Sequence, residues 1–230
     1  LARRQAVIDV EHEMDREEVI RRVRDSGLIA IMRHTDARRA IETAEALVAG
    51  GADVVEVTMN TAGAIGMVEA ITAHFGSRLV VGAGTVLSVA AAEEAVAAGA
   101  RLLVSPHLDE AIVGYAVERR VAVIPGAFTP TEIFRAWSAG ASLVKVFPSG
   151  PVGPRYIRDV LAPLNDVPLV PTGGVTLENA GEFIRAGAAA LGLGSALVDP
   201  RLVVSGDFAK LTDTARAFLA TIRQAREGAA

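Results

Sequence analysis

Eight short apolar runs recur along this chain at intervals of about 25 residues. They are LIAIM (28–32), VVEVT (54–58), LVVGA (79–83), LLVSP (102–106), VAVIP (121–125), LVKVF (143–147), PLVPT (168–172) and ALGLG (190–194). Each is near-continuously apolar and rich in β-branched residues, as expected of strands buried on both faces of a parallel sheet. The stretches between them, such as ARRAIETAEALVAG, have helical periodicity. The pattern predicts eight βα units over 28–227, preceded by a tail and an N-terminal helix over 1–27, the helix itself running from about Asp15 to Asp25. Eight units in 230 residues point to a single (β/α)8 TIM-barrel domain, with a doubly wound sheet of fewer strands as the alternative. Helices before alternate strands end on glycine at Gly51, Gly99, Gly140 and Gly187, each followed by alanine. Glycine suits the left-handed position just past a helix.

Composition narrows the function. A net charge of −4 gives no electrostatic case for nucleic acid, and the absence of cysteine removes disulfides, thiolate metal sites and a thiol nucleophile. No apolar run reaches the roughly 20 residues that span a bilayer. The opening LARRQAVIDVEHEMDREEVIRR lacks the apolar region of a signal peptide. A cytoplasmic enzyme with no membrane partner is the expectation, with the first ten or so residues poorly ordered. The four histidines (His12, His34, His74, His107) show no ligand pairing, so no metal site is expected.

In a barrel of this kind, function sits at the C-terminal ends of the strands. Of 23 Lys and Arg residues only Lys145 and Lys210 are lysine. Lys145 lies inside the sixth run, on the face shared by Leu143 and Phe147. Burial lowers the pKa of an amine, and a neutral amine attacks carbonyls. Schiff-base chemistry, a phosphate contact and a structural ion pair are all open to it. Glu56 lies on the inward-parity face of the second run, where a carboxylate could pair with that amine or move its protons. Glycine turns follow the seventh and eighth runs, at Thr172-Gly173-Gly174 and Gly194-Ser195. Turns at those two strands commonly cradle phosphate through backbone N–H groups. Arg33 and Thr85, at the ends of the first and third runs, are candidates for a substrate carboxylate.

The segments LIAIMR, GGADVVEVTMNT, VGAGTVLS, LLVSPHLDE, VIPGAFTPTEI, LVKVFPSGPVGP, VPTGGVTLEN and LGLGSALV occur in this order from about Leu28 to Val198. In these motifs the chain resembles the 2-keto-3-deoxy-6-phosphogluconate (KDPG) / 4-hydroxy-2-oxoglutarate (KHG) aldolases, class I Schiff-base enzymes of the Entner–Doudoroff route. The resemblance implies that Lys145 forms the Schiff base and Glu56 is the general acid/base. It implies that Thr85 meets the pyruvoyl carboxylate and Thr172 the substrate hydroxyls. Gly173, Gly174, Gly194 and Ser195 would hold phosphate, and Pro106 and Phe147 would line the pocket. It further implies a small-molecule keto-acid substrate, no cofactor and a homotrimer. One position departs from the pattern. Many members carry arginine in E-V-T-L-R-T, where this chain has Asn60. Others carry one after the first strand, where this chain has Arg33, which would then take the carboxylate. Asn60 also occurs in phosphogalactonate-type members, whereas Thr172 is the phosphogluconate-type residue and tips the reading toward gluconate. A sugar-phosphate isomerase or epimerase, and a non-catalytic sugar-phosphate-binding barrel, are the rival readings.

Overall fold

The structure is a computed structural model and describes residues 14–228. The expectation of poor order in the first ten or so residues, and His12, lie outside the described residues. Helix α1 (Arg16–Ser26) begins on Asp15, whose side chain accepts from the Glu18 amide, and stops at Gly27 with φ 70°. It is the expected N-terminal helix, displaced by one residue.

Nine strands follow: β1 (Leu28–Met32), β2 (Val54–Thr58), β3 (Val80–Gly84), β4 (Leu102–Val104), β5 (Ala122–Ile124), β6 (Gly126–Ala127), β7 (Val144–Val146), β8 (Leu169–Pro171) and β9 (Leu191–Leu193). The fifth run gives β5 and ends at Pro125, which has no amide N–H to give to a ladder, and β6 resumes just beyond it. The Pro125 carbonyl still accepts from the Lys145 amide at 2.9 Å. Every pairing is parallel. One sheet has the order β5-β4-β3-β2-β1-β9 and the other β6-β7-β8. The chain through Pro125 joins them on one side. On the other, Thr172 bridges Gly192 and the Ala189 amide donates to the Leu169 carbonyl at 2.9 Å. The ring therefore closes with eight strand positions, and the fold is a (β/α)8 barrel.

The strands alternate between two apolar layers. Inward residues such as Ile29, Val54, Leu102, Ile124 and Leu143 form a bore cluster that includes Val19 and Val23 of α1. Helix α1 thus plugs the N-terminal end of the bore. It is pinned there by Arg22, whose Nε donates to Asp53 Oδ2 at 2.8 Å and whose Nη1 and Nη2 donate to the carbonyls of Ser77 (2.7 Å) and Arg78 (2.9 Å). Outward residues such as Val55, Val81, Leu103 and Leu169 pack beneath the surrounding helices.

Those helices are α2 (Ala40–Ala49), α3 (Ala64–Phe75), α4 (Val89–Ala97), α5 (Glu110–Glu118), α6 (Pro130–Ser138), α7 (Gly153–Leu161), α8 (Leu177–Arg185), α9 (Pro200–Ser205) and α10 (Phe208–Glu227). The short α9 is an addition to the expected eight units. The long α10 packs on α2 and α8, next to the strands where the ring closes. The recurrent glycines all sit near φ +100°, at Gly51, Gly99, Gly140 and Gly187. The alanine after each donates back to the helix it leaves, as Ala52 does to Leu47 at 3.0 Å and Ala188 to Phe183 at 3.1 Å. Helix α5 ends with the same bonds, but Arg120 takes the glycine's place at φ 55°.

Candidate active site

Glu56 on β2 and Lys145 on β7 are four positions apart in a ring of eight, so they face one another across the bore. They place opposite charges among mostly apolar inward residues and are 1% and 3% exposed. Burial raises the Glu56 pKa, and the nearby Lys145 and Arg33 charges oppose that rise. Burial lowers the Lys145 pKa, Arg33 lowers it further, and Glu56 opposes both. Desolvation is the largest cause in each case, so the site shifts the amine toward its neutral form. The Lys145 Nζ lies 5.3 Å from the Phe147 ring centre. Glu56 Oε1 is buried and meets no hydrogen-bond partner among the described residues. That oxygen is accommodated because β3 ends on glycine: a Cβ on Gly84 would overlap the Glu56 carboxylate.

The strand ends open into a cavity of about 380 Å³, whose walls include Ile31 and Phe147 but neither Glu56 nor Lys145. Its walls include Arg33, Phe147, Thr172, Gly173, Gly174, Gly194 and Ser195, seven of the residues expected at the site. The two glycine turns meet here because Gly192, which carries no side chain, lets Thr172 lie against β9. The segment after β7 is bonded to the turn after β8. The Gly150 amide donates to the Gly173 carbonyl at 2.7 Å, and Ser149 Oγ donates to the carbonyls of Thr172 (3.1 Å) and Gly173 (3.0 Å).

Thr85 and Pro106 end β3 and β4, the strands across the ring from β8 and β9. They are half-buried on that rim and are not walls of the cavity. Thr85 has φ 55°, a left-handed conformation rare outside glycine. Asn60 is exposed in the turn after β2 and is likewise outside the cavity walls, whereas Arg33 lines the cavity. The guanidinium of Arg33, unlike Asn60, acts electrostatically on both buried groups. Two contributors were not singled out from the sequence. His34 lines the same cavity at φ 53°, and Thr61 Oγ1 accepts from the His34 amide at 2.9 Å.

The family model described as KDPG and KHG aldolase matches residues 19–214. The chain belongs to this aldolase family. The 2-dehydro-3-deoxy-phosphogluconate aldolase of Treponema pallidum (strain Nichols) is 37% identical over 196 residues, which are 85% of this chain and 91% of that protein. The 2-dehydro-3-deoxy-6-phosphogalactonate aldolase of Escherichia coli (strain K12) is 37% identical over 171 residues, 74% of this chain and 83% of that protein. The KDPG aldolase of Legionella pneumophila, solved with pyruvate captured at low pH as a covalent carbinolamine intermediate, aligns with a TM-score of 0.81 at 27% identity. The alignment covers 88% of this chain and 97% of that one. This aldolase is therefore a lyase. Among its described residues no helix is long and apolar enough to cross a membrane.

Proposed function

We propose that this aldolase cleaves 2-keto-3-deoxy-6-phosphogluconate reversibly to pyruvate and glyceraldehyde 3-phosphate through a Schiff base on Lys145, and that it also splits 4-hydroxy-2-oxoglutarate to pyruvate and glyoxylate. The supporting observation is the buried pair itself: an amine held toward its neutral form opposite a carboxyl whose Oε1 meets no hydrogen-bond partner among the described residues. The Lys145 amine adds to the C2 ketone to form a carbinolamine. Glu56 moves the protons needed to expel water, leaving an iminium. Glu56 then accepts the C4 hydroxyl proton as the C3–C4 bond breaks. The bond's electrons pass into the iminium, giving an enamine, and glyceraldehyde 3-phosphate departs. Protonation at C3 and hydrolysis release pyruvate and restore the amine.

Arg33, with Thr85, receives the pyruvoyl carboxylate. Thr172 meets the substrate hydroxyls, and the amides of Gly173, Gly174, Gly194 and Ser195 hold the phosphate. Pro106 and Phe147 border the keto-acid end. The galactonate epimer is the second reading, supported by Asn60 and by the relative from Escherichia coli. We also propose a cytoplasmic homotrimer, checked by light scattering on the eluted protein.

Borohydride reduction in the presence of pyruvate tests the mechanism. A stable adduct mapped to Lys145 supports it. Failure to trap any adduct, despite sugar-phosphate binding, would favour an isomerase or a binding barrel. Comparing kcat/KM for the two phosphorylated epimers and for 4-hydroxy-2-oxoglutarate assigns the substrate.

A further inference from the structure

One titratable side chain in the cavity wall has no part in the proposed reaction. His34 directly follows Arg33 at the C-terminal end of β1 and is exposed. Its backbone is left-handed, at φ 53°. Strained residues of this kind persist where their surroundings hold them, and they gather at binding sites. Here the restraint is specific. The His34 amide donates to Thr61 Oγ1 at 2.9 Å, and Thr61 Oγ1 lies 3.0 Å from Thr58 Oγ1. Thr58 is fully buried on the inward face of β2, two residues beyond Glu56. A short hydroxyl chain thus ties the histidine backbone to the strand that carries Glu56.

The register of the ring indicates which end of the substrate His34 meets. Strand β1 pairs with β9, with Leu28 opposite Leu191 and Ala30 opposite Leu193. Carried past the strand ends, that register sets Arg33 beside Ala196 and His34 beside Leu197, directly after the Gly194–Ser195 turn. The charge on Arg33 is felt at Glu56 and Lys145, which places its work at the reacting end. Its neighbour remains at the mouth, on the wall shared with Gly194 and Ser195.

We propose that His34 is a specificity-determining residue, whose imidazole donates a hydrogen bond to the distal phosphoryl group beside the Gly194–Ser195 turn and so favours a phosphorylated keto acid over an unphosphorylated one. The inference rests on the aldolase reading above and deepens it. Two variants isolate the imidazole. His34→Gly removes it and adopts the left-handed backbone freely, so folding is preserved. His34→Asn keeps a donor and tolerates the same backbone.

The measurements are KM and kcat for the phosphorylated substrate and for 4-hydroxy-2-oxoglutarate, and calorimetric affinity for inorganic phosphate. In His34→Gly, KM for the phosphorylated substrate should rise about tenfold, with kcat and both constants for 4-hydroxy-2-oxoglutarate unchanged. Phosphate should bind more weakly by a similar factor, and His34→Asn should recover part of the loss. Unchanged selectivity and phosphate affinity in His34→Gly would overturn the proposal, as would equal losses on both substrates. If the native chain cleaves neither keto acid while phosphate affinity still depends on His34, the aldolase reading fails and the His34 contact stands.

Discussion

At the scale of single residues, reactivity here follows from which charges the bore excludes. Lys145→Arg should abolish both turnover and adduct formation, because a guanidinium stays protonated in any site a protein offers. Residual cleavage at the native rate would contradict the assignment. Glu56→Gln should lower kcat by about 10²–10⁴-fold. Because the Glu56 carboxylate raises the Lys145 pKa, its removal should also shift the acid limb of adduct formation to lower pH. Arg33→Gln should do the opposite. Arg33 lowers the Lys145 pKa, so its loss moves that limb to higher pH and raises KM for the keto acid. A pH series of borohydride trapping reads both signs. Lys145 and Glu56 were legible because a charged residue in an apolar strand has few reasons to be there. His34 was not. An isolated histidine in a polar stretch looks like a solvated loop residue, and neither its left-handed backbone nor the hydroxyl of Thr61 beneath it leaves a mark in composition.

The same contrast holds for the secondary-structure elements. β1 and β2 have the bounds expected of them, because each is buried from end to end. β7, β8 and β9 are three residues long, where five-residue runs were expected. Their flanking residues still bond across to neighbouring strands, as the Phe147 amide does to the Ala127 carbonyl and the Thr172 amide to the Val146 carbonyl, both at 3.0 Å, but lie outside the regular ladder. The break at Pro125 follows from a missing donor, although in sequence the proline read as the end of a run. The helix ends show the clearest departure from a rule that otherwise holds. The helices before alternate strands close on a glycine followed by alanine, and α5 closes on Arg120 at φ 55° with the same two backbone bonds. An ordinary residue in that conformation costs about 1–2 kcal/mol. Arg120→Gly should therefore stabilise the fold by about 1 kcal/mol, a rise of about 2–4 °C in Tm for a chain of this size. Kinetic constants should not move, since α5 ends at the opposite face of the barrel from the site. A fall in Tm would show that Arg120 makes contacts worth more than its strain.

For the whole molecule, the site depends on a ring whose far end is stoppered by α1. Arg22 makes that stopper a bonded part of the barrel through Asp53 and two carbonyls. Arg22→Ala leaves those carbonyls and a half-exposed carboxylate without their donor. It should cost about 2 kcal/mol, or about 4–8 °C in Tm, while kcat at low temperature stays within twofold. Thermal melts and initial rates check the two halves of that expectation. Ring closure also has a consequence during synthesis. The first strand of the ring to leave the ribosome, β1, finds one of its two partners in the last strand of the ring, β9. Until then one side of β1 is an unpaired edge, open to other chains. The wall formed by the Gly194–Ser195 turn does not yet exist either. A nascent chain stalled before residue 191 would carry Lys145 and Glu56 without a barrel to desolvate them. On the proposed chemistry, the amine is thereby withheld from cellular carbonyls until β9 has emerged.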